Sequence, residues 1–175
     1  MPPRNVNFTH TDKVYFPDGF TKGEMLRYYA AMAPHILPHL QDRPVTLIRY
    51  PDGVKGERFY AKNAPSFTPS WIKTVRVPRS RHEGYVDYIV VNDVATLTWC
   101  ANLGAIEFHP FLHRARKPDV PTHVAFDLDP GEGADLLDCI EVAQLLRAVF
   151  DRLDLAAYPK VTGSKGLQLY LPLNT

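Results

Sequence analysis

Apolar residues recur at helical spacing in three stretches of the chain and cluster or alternate at strand spacing in six shorter ones. Met25, Leu26, Tyr29 and Met32 share one face of a helix, and Thr21-Lys22-Gly23-Glu24 ahead of them reads as a capping box, with Thr21 as N-cap and Glu24 reaching back. Pro34 is the expected stop of that helix. Asn92 or Asp93 is expected to cap a second helix that runs through Leu103 and ends at Gly104. Leu136, Leu137, Ile140, Ala143, Leu146, Val149, Phe150 and Leu153 predict a third, long and amphipathic. Strands are expected at 45–50, 85–91, 105–109 and 123–129, and a hairpin-like pair at 158–161 and 167–171 around Thr162-Gly163-Ser164-Lys165-Gly166. The interleaved order predicts an α/β (α+β) fold, a mixed central sheet flanked by helices. No repeat, low-complexity tract or linker divides the chain, so residues 1–175 are expected to form a single domain.

Composition changes this picture little. Forty-five per cent of residues are hydrophobic and 22% charged, an ordinary globular balance. The apolar runs are too short and interrupted for a membrane span, and the N-terminal residues lack the apolar stretch of a signal peptide. Cys100 and Cys139 each sit in an apolar helical pattern and are expected as buried, reduced thiols. These features together point to the cytoplasm.

Charge is informative through its distribution. Residues 1–118 hold 16 Lys/Arg against 10 Asp/Glu, whereas residues 119–175 hold 4 against 9, within a net charge of +1. A basic first part suits a polyanion and an acidic second part suits cations.

Five local patterns carry candidate chemistry. Asp127 and Asp129 alternate with Leu128 at a strand end, so both carboxylates point one way from origins roughly 6–7 Å apart. Two like charges so close favour a shared hard cation with oxygen ligands. In Thr162-Gly163-Ser164-Lys165-Gly166, glycines open the backbone to an anion, hydroxyls donate and Lys165 adds a point charge. A strand rather than a helix follows, so this is not a Walker A loop. His109 closes a strand before Pro110, where it can donate to a phosphate. Phe59-Tyr60-Ala61-Lys62 pairs base-stacking rings with a cation, and Lys13 and Lys22 flank a turn ahead of a capped helix N-terminus that suits a phosphate.

Six segments in this order resemble the polymerase (primase-like) domain of bacterial ATP-dependent ligase D, in the archaeo-eukaryotic primase superfamily. They are Thr11-Asp12-Lys13-Val14, Arg49-Tyr50-Pro51-Asp52-Gly53-Val54, Phe59-Tyr60-Ala61-Lys62-Asn63-Ala64-Pro65, Ile106-Glu107-Phe108-His109-Pro110, Phe126-Asp127-Leu128-Asp129-Pro130 and Gly163-Ser164-Lys165-Gly166-Leu167. The resemblance implies a nucleotidyltransferase that adds nucleotides at double-strand breaks or gaps during non-homologous end joining. It implies Mn²⁺ or Mg²⁺ on Asp127 and Asp129, and a nucleoside triphosphate held by His109, Thr162, Ser164 and Lys165, with Arg49 on the nucleotide side. It further implies a DNA end met by Phe59, Tyr60 and Lys62, and a recessed 5′-phosphate received by Lys13 and Lys22. Ku and a ligase domain or chain are the protein partners it suggests, and a nucleoid-associated place in the cytoplasm.

The chain also departs from the family pattern. Thr162 stands where Ser is usual, Gln168 where His is usual, Ile48 where a cation is frequent and His10 where a polar amide is usual. The family domain runs on beyond residue 175 and supplies a third metal-binding carboxylate there, so the chain is expected to be the N-terminal portion of such a domain. Glu107 is the one neighbouring acid that offers a substitute, while Glu132 and Asp135 are expected at the start of the following helix, in a solvated capping role. Two other functions compete: a module that binds DNA ends and 5′-phosphate without turnover, and a glycosyltransferase in which the D-x-D motif takes a nucleotide-sugar.

Overall fold

The computed structural model describes residues 4–79 and 83–173. The chain falls into two compact units, residues 1–116 and 117–175. The first contains α1 (Lys22–Leu40), β1 (Pro44–Arg49), β2 (Phe59–Ala61), β3 (Thr74–Pro78), β4 (Tyr85–Val90), α2 (Val94–Asn102), β5 (Ala105–Pro110) and β6 (His113–Arg114). The second contains β7 (Lys117–Pro121), β8 (His123–Leu128), α3 (Leu136–Arg152), β9 (Tyr158–Val161) and β10 (Leu167–Pro172). The mixed α/β class is the one expected, and the pairs within each unit are antiparallel.

In the first unit β1 is the hub. β5 lies along one edge, while β4 pairs with its first two residues and β2 with its last three on the other. β3 pairs with the far side of β4. Val45 and Leu47 of β1 and Ile89 of β4 pack under α1, through Met25, Leu26, Tyr29 and Ala33, and under α2, through Leu97, Cys100 and Ala101. Burial of each large side chain contributes about 1.5–3 kcal/mol.

The capping box at Thr21 and Glu24 forms in full, with the Thr21 amide donating to Glu24 Oε2 at 2.7 Å. The helix does not stop at Pro34: it runs through Pro34 and Pro38 to Leu40. Both prolines are exposed, so the carbonyls they leave without an intrahelical partner, Ala30 and Pro34, belong to exposed residues. The apolar face on the other side holds the helix together. α2 is capped by Asp93, which accepts from the Thr96 amide at 2.8 Å, and Gly104 follows it at φ +86, as its stop signal predicts. β2 and β3 were not anticipated, although Val75 and Val77 alternate with polar neighbours as an edge strand should.

In the second unit the sheet order is β8-β10-β9. Leu167, Leu169 and Leu171 of the central strand are buried against α3, through Cys139, Ala143 and Phe150. Gln168 and Tyr170 therefore project from the opposite face. Asp135 caps α3 in a capping box with Asp138, which is the role expected of it. Helix α3 buries only one stripe of its apolar set: Leu137, Val149 and Leu153 are exposed, as is Leu145. A single helix on a three-stranded sheet covers no wider face.

Leu97 is fully buried, and Leu97→Ala is expected to destabilise the fold by about 2–5 kcal/mol. Leu145→Ala, on the exposed side of α3, should stay within about 0.5 kcal/mol of the parent. Urea unfolding monitored by circular dichroism checks both.

Candidate functional site

The acid pair sits at the end of β8. Phe126 and Leu128 turn toward α3, so Asp127 lies on the opposite, open face by strand alternation. Asp129 follows two residues later, and both acids are exposed. Neither carboxylate has an ion-pair partner among the described residues. Asp127 Oδ1 accepts one hydrogen bond, from Gln168 Nε2 at 3.2 Å across the β8–β10 ladder. Gln168 Oε1 in turn accepts from the Tyr170 hydroxyl at 2.9 Å and from Lys160 Nζ at 3.3 Å. The side-chain amide of Gln168 is thereby oriented, with its N–H toward Asp127 and its oxygen toward Tyr170 and Lys160.

The 162–166 turn joins β9 to β10 beside this pair. A Cβ on Gly166 would collide with the Asp129 carboxylate and come within 2.5 Å of the Leu128 carbonyl oxygen. Only glycine lets the turn lie this close to the end of β8. The Thr162 hydroxyl closes the turn: it donates to the Gly166 carbonyl at 2.9 Å and accepts from the Ser164 and Gly166 amides at 3.3 Å. Thr162 thus shapes the turn from within. Ser164 and Lys165 are exposed, and the Lys165 ammonium has no carboxylate partner among the described residues.

In the first unit, strand alternation sorts the remaining candidates. The row Tyr60–Ile48–Glu107 crosses β2, β1 and β5, and Thr46 faces His109 in the next row on the same face. His109 Nε2 lies 3.0 Å from Glu107 Oε2, and Glu107 Oε1 accepts from the Tyr50 hydroxyl at 2.8 Å. Phe59 and Arg49 pair with each other on the opposite face, the guanidinium 5.1 Å from the ring centroid. Arg49 Nε donates to the Leu103 carbonyl at 2.8 Å. Tyr60 is the more exposed of the two aromatics, at 62% against 44%. Phe59 and Tyr60 are therefore not one stacking platform, and Arg49 does not share the face of His109. Lys62 follows β2 and is exposed.

Lys13 and Lys22 come together around the 13–21 turn. The isolated bridge between Val14 and Thr21 aligns the two arms. Lys22 is only 4% exposed, and its ammonium donates to the Thr9 carbonyl at 2.8 Å. Burial, with the neighbouring Lys13 charge, pulls its pKa below the usual lysine range. Lys13 is held by Asp52 Oδ1 at 2.6 Å and the Pro51 carbonyl at 2.8 Å. The backbone of the helix N-terminus is not open to an anion. The Lys22 amide donates to Lys13 O, the Gly23 amide to Thr11 O and the Glu24 amide to Thr21 Oγ1. An anion here would meet the two ammonium groups in place of the first amides.

Sequence reasoning found the acids, the turn and the lysines. It did not give Gln168 as the group orienting Asp127, Asp52 as the partner of Lys13, or the use of both Glu107 oxygens by Tyr50 and His109. The alternation of Gln168 with Leu167 and Leu169 signals an outward polar side chain, but its partner depends on strand register. Among the described residues no group of three or more His, Cys, Asp or Glu side chains is gathered as a cation site.

Residues 21–175 match the family model described as LigD, primase-polymerase domain. The chain is 39% identical over 171 residues to the multifunctional non-homologous end joining protein LigD of Mycolicibacterium smegmatis, covering 96% of this chain and 22% of that protein. It is 36% identical over 171 residues to the bifunctional non-homologous end joining protein LigD of Bacillus subtilis, covering 97% and 27%. The chain therefore spans about a quarter of the length of these curated relatives. Among solved structures, it is similar to the polymerase domain of Mycobacterium tuberculosis ligase D in complex with DNA, with a TM-score of 0.89 and 34% identity over 99% of this chain and 63% of that one.

Gly166→Ala is expected to push the turn away from Asp129 and to destabilise the chain by about 1–3 kcal/mol. Gly131→Ala, where a Cβ meets nothing within 4 Å, is the control, and thermal melts of the two variants make the comparison.

Proposed function

Because this chain belongs to the LigD primase-polymerase family, we propose that it is a nucleotidyltransferase module that adds nucleotides at DNA double-strand breaks or gaps in non-homologous end joining. The observation that carries this reading is the unpaired Asp127–Asp129 set with the 162–166 turn packed against it. One face of the β8–β10–β9 sheet then offers carboxylates for cations next to a hydroxyl and an ammonium for phosphates.

Mn²⁺ or Mg²⁺ fits the acid pair. Both side chains offer hard oxygen donors without a competing protein cation among the described residues, and Gln168 holds one of them by a neutral amide. Asp127 and Asp129 would hold such a cation, which would supply charge to lower the pKa of an attacking 3′-hydroxyl and to stabilise a leaving pyrophosphate. The chain's own residues do the rest. On the second unit Ser164 and Lys165 hold the triphosphate, with Thr162 keeping the turn in shape; on the first, His109 offers a ring N–H donor to a phosphate. Tyr60 stacks at the DNA end, while Phe59, under Arg49, supports the strand beneath it. Lys13 and Lys22 receive the recessed 5′-phosphate, and Lys13 exchanges Asp52 for it. Ku and a ligase domain or chain are the fitting protein partners, and the nucleoid the fitting place.

A second reading, a module that binds DNA ends without turnover, draws on Glu107. Both of its oxygens are engaged by Tyr50 and His109 within the first unit, so this reading takes the third acid from elsewhere. Mn²⁺-dependent extension of a gapped duplex by residues 1–175 favours the first reading. End binding without extension, cured by supplying a third acid on a C-terminal extension or in trans, favours the second. Tighter binding of a nucleotide-sugar than of a nucleoside triphosphate would overturn both.

Mn²⁺ at a hundredfold excess over its dissociation constant should stabilise the chain by about 2.7 kcal/mol in thermal melts. Asp127→Asn should remove most of that gain, and an equal gain in both proteins would place the ion elsewhere.

For the DNA end, the chain should prefer a recessed 5′-phosphate over a 5′-hydroxyl, more so at low salt. Lys22→Met, which keeps the buried stem, should weaken the phosphorylated end by about tenfold, the loss of one charge-assisted hydrogen bond. Asp52→Asn should tighten it by no more than about fivefold, since the ion pair it removes is exposed. If Lys22→Met weakens both ends equally, the phosphate lies elsewhere. Fluorescence anisotropy on labelled duplexes reads all three.

A further inference from the structure

We propose that Glu107 is the positioning residue for His109, gripping the imidazole through Nε2 so that Nδ1 is the nitrogen presented to the phosphate oxygens of an incoming nucleoside triphosphate. The inference rests on the reading of His109 as a triphosphate contact and names the group that orients it.

The two residues lie two apart on β5, so their side chains share a face. Glu107 Oε2 is 3.0 Å from His109 Nε2, while Oε1 accepts the Tyr50 hydroxyl at 2.8 Å. Tyr50 follows β1 and its hydroxyl is itself 3.5 Å from Arg58 Nη1. One carboxylate oxygen is therefore fixed from the β1 side, which gives the other a set direction. Burial raises the Glu107 pKa, but the Tyr50 and His109 hydrogen bonds outweigh it and hold the carboxyl below its usual range. An ionised carboxylate only accepts, so the hydrogen between the two side chains belongs to Nε2.

That assignment decides what His109 offers to a ligand. A free imidazole on a strand samples both tautomers and flips its ring. With Nε2–H held by Glu107, the ring plane is fixed and Nδ1 is the nitrogen left over. In the neutral ring Nδ1 only accepts; it donates to a phosphate oxygen only in the charged ring, whose other N–H goes to Glu107. Glu107 thus acts through His109 and touches no substrate itself. Its engagement also explains why this acid, on the same strand as the histidine, is not a free metal ligand.

The test combines ring-nitrogen NMR of His109 with ATP titrations of the full chain, comparing wild type, Glu107→Ala, Glu107→Gln, His109→Ala and the Glu107→Ala/His109→Ala double variant. The expected spectrum has Nε2 protonated in the wild type and a tautomer mixture in Glu107→Ala. Glu107→Ala is expected to weaken ATP by about tenfold, the equivalent of one charge-assisted hydrogen bond. His109→Ala should weaken it at least as much, and the double variant no further than His109→Ala alone. Glu107→Gln keeps the volume and an acceptor, and should fall between wild type and Glu107→Ala with unchanged thermal stability. An unaltered His109 spectrum in Glu107→Ala overturns the proposal, as does an equal loss of ATP affinity from Glu107→Ala in the His109→Ala background. If the spectrum changes but His109→Ala binds ATP like the wild type, the triphosphate role of His109 fails and the grip of Glu107 on the ring stands.

Discussion

Leu47 is paired on both sides, to Ala61 of β2 and to Phe108 of β5, and its side chain is buried under the helices of the first unit. That double pairing sets the register of three strands at once. Because side chains alternate, a slip of one residue would send Leu47 to the outer face and bring Ile48 and Thr46 in. The burial of Leu47, Val45 and Phe108 therefore also dictates what lies opposite them: Tyr60, Glu107 and His109. The face that carries these candidate residues is the complement of the core face, and the same apolar contacts specify both.

The second unit obeys the same constraint with a smaller core. Leu167, Leu169 and Leu171 fix β10 against α3, and this turns Gln168 and Tyr170 to the side where Asp127 stands. The side chains on that face form a hydrogen-bonded line from Lys160 and Tyr170 through Gln168 to Asp127. A neutral amide in the middle has one consequence. It donates to the carboxylate without neutralising it and limits its rotamer. A lysine or arginine in place of Gln168 would orient the acid equally well but would place a cation on it, which the proposed metal would have to displace.

The features that were legible in the sequence are those written in a few neighbouring residues. The capping box at Thr21, the cap at Asp135, the alternation around Leu128 and the glycine-bearing turn after Val161 each depend on local geometry, and each appears where the sequence places it. Pro34 misleads because its cost as a helix breaker is local, whereas the gain that overrides it comes from Ala33 and Leu40 packing against the sheet. The resemblance puts Phe59 with Tyr60 at a DNA end and Arg49 with His109 on the nucleotide side. The separation of Phe59 and Arg49 onto the other face follows from register, which a single strand's sequence does not state. Lys13 with Asp52, and Glu107 with Tyr50, join residues 39 and 57 positions apart, and no spacing rule reaches that far.

Lys22 shows how far burial and charge can be set against each other in such a site. An ammonium almost wholly out of water is ordinarily matched by a carboxylate, because leaving it unmatched costs several kcal/mol. Here it donates to the carbonyl and hydroxyl of Thr9, and the nearby charge is the like charge of Lys13. Asp52 pairs with Lys13. The group is thus under-neutralised, and desolvation pulls its pKa down accordingly. A phosphate monoester would relieve this imbalance: it accepts from Lys22, screens the two ammonium groups from each other, and releases Asp52 to water, where an exposed carboxylate is at no loss. On this account the strain resides in the free state, and the Lys13–Asp52 pair is a weak stand-in for the anion. Its weakness matters, since an acid buried beside Lys22 would stabilise the free chain more and leave the phosphate nothing to gain.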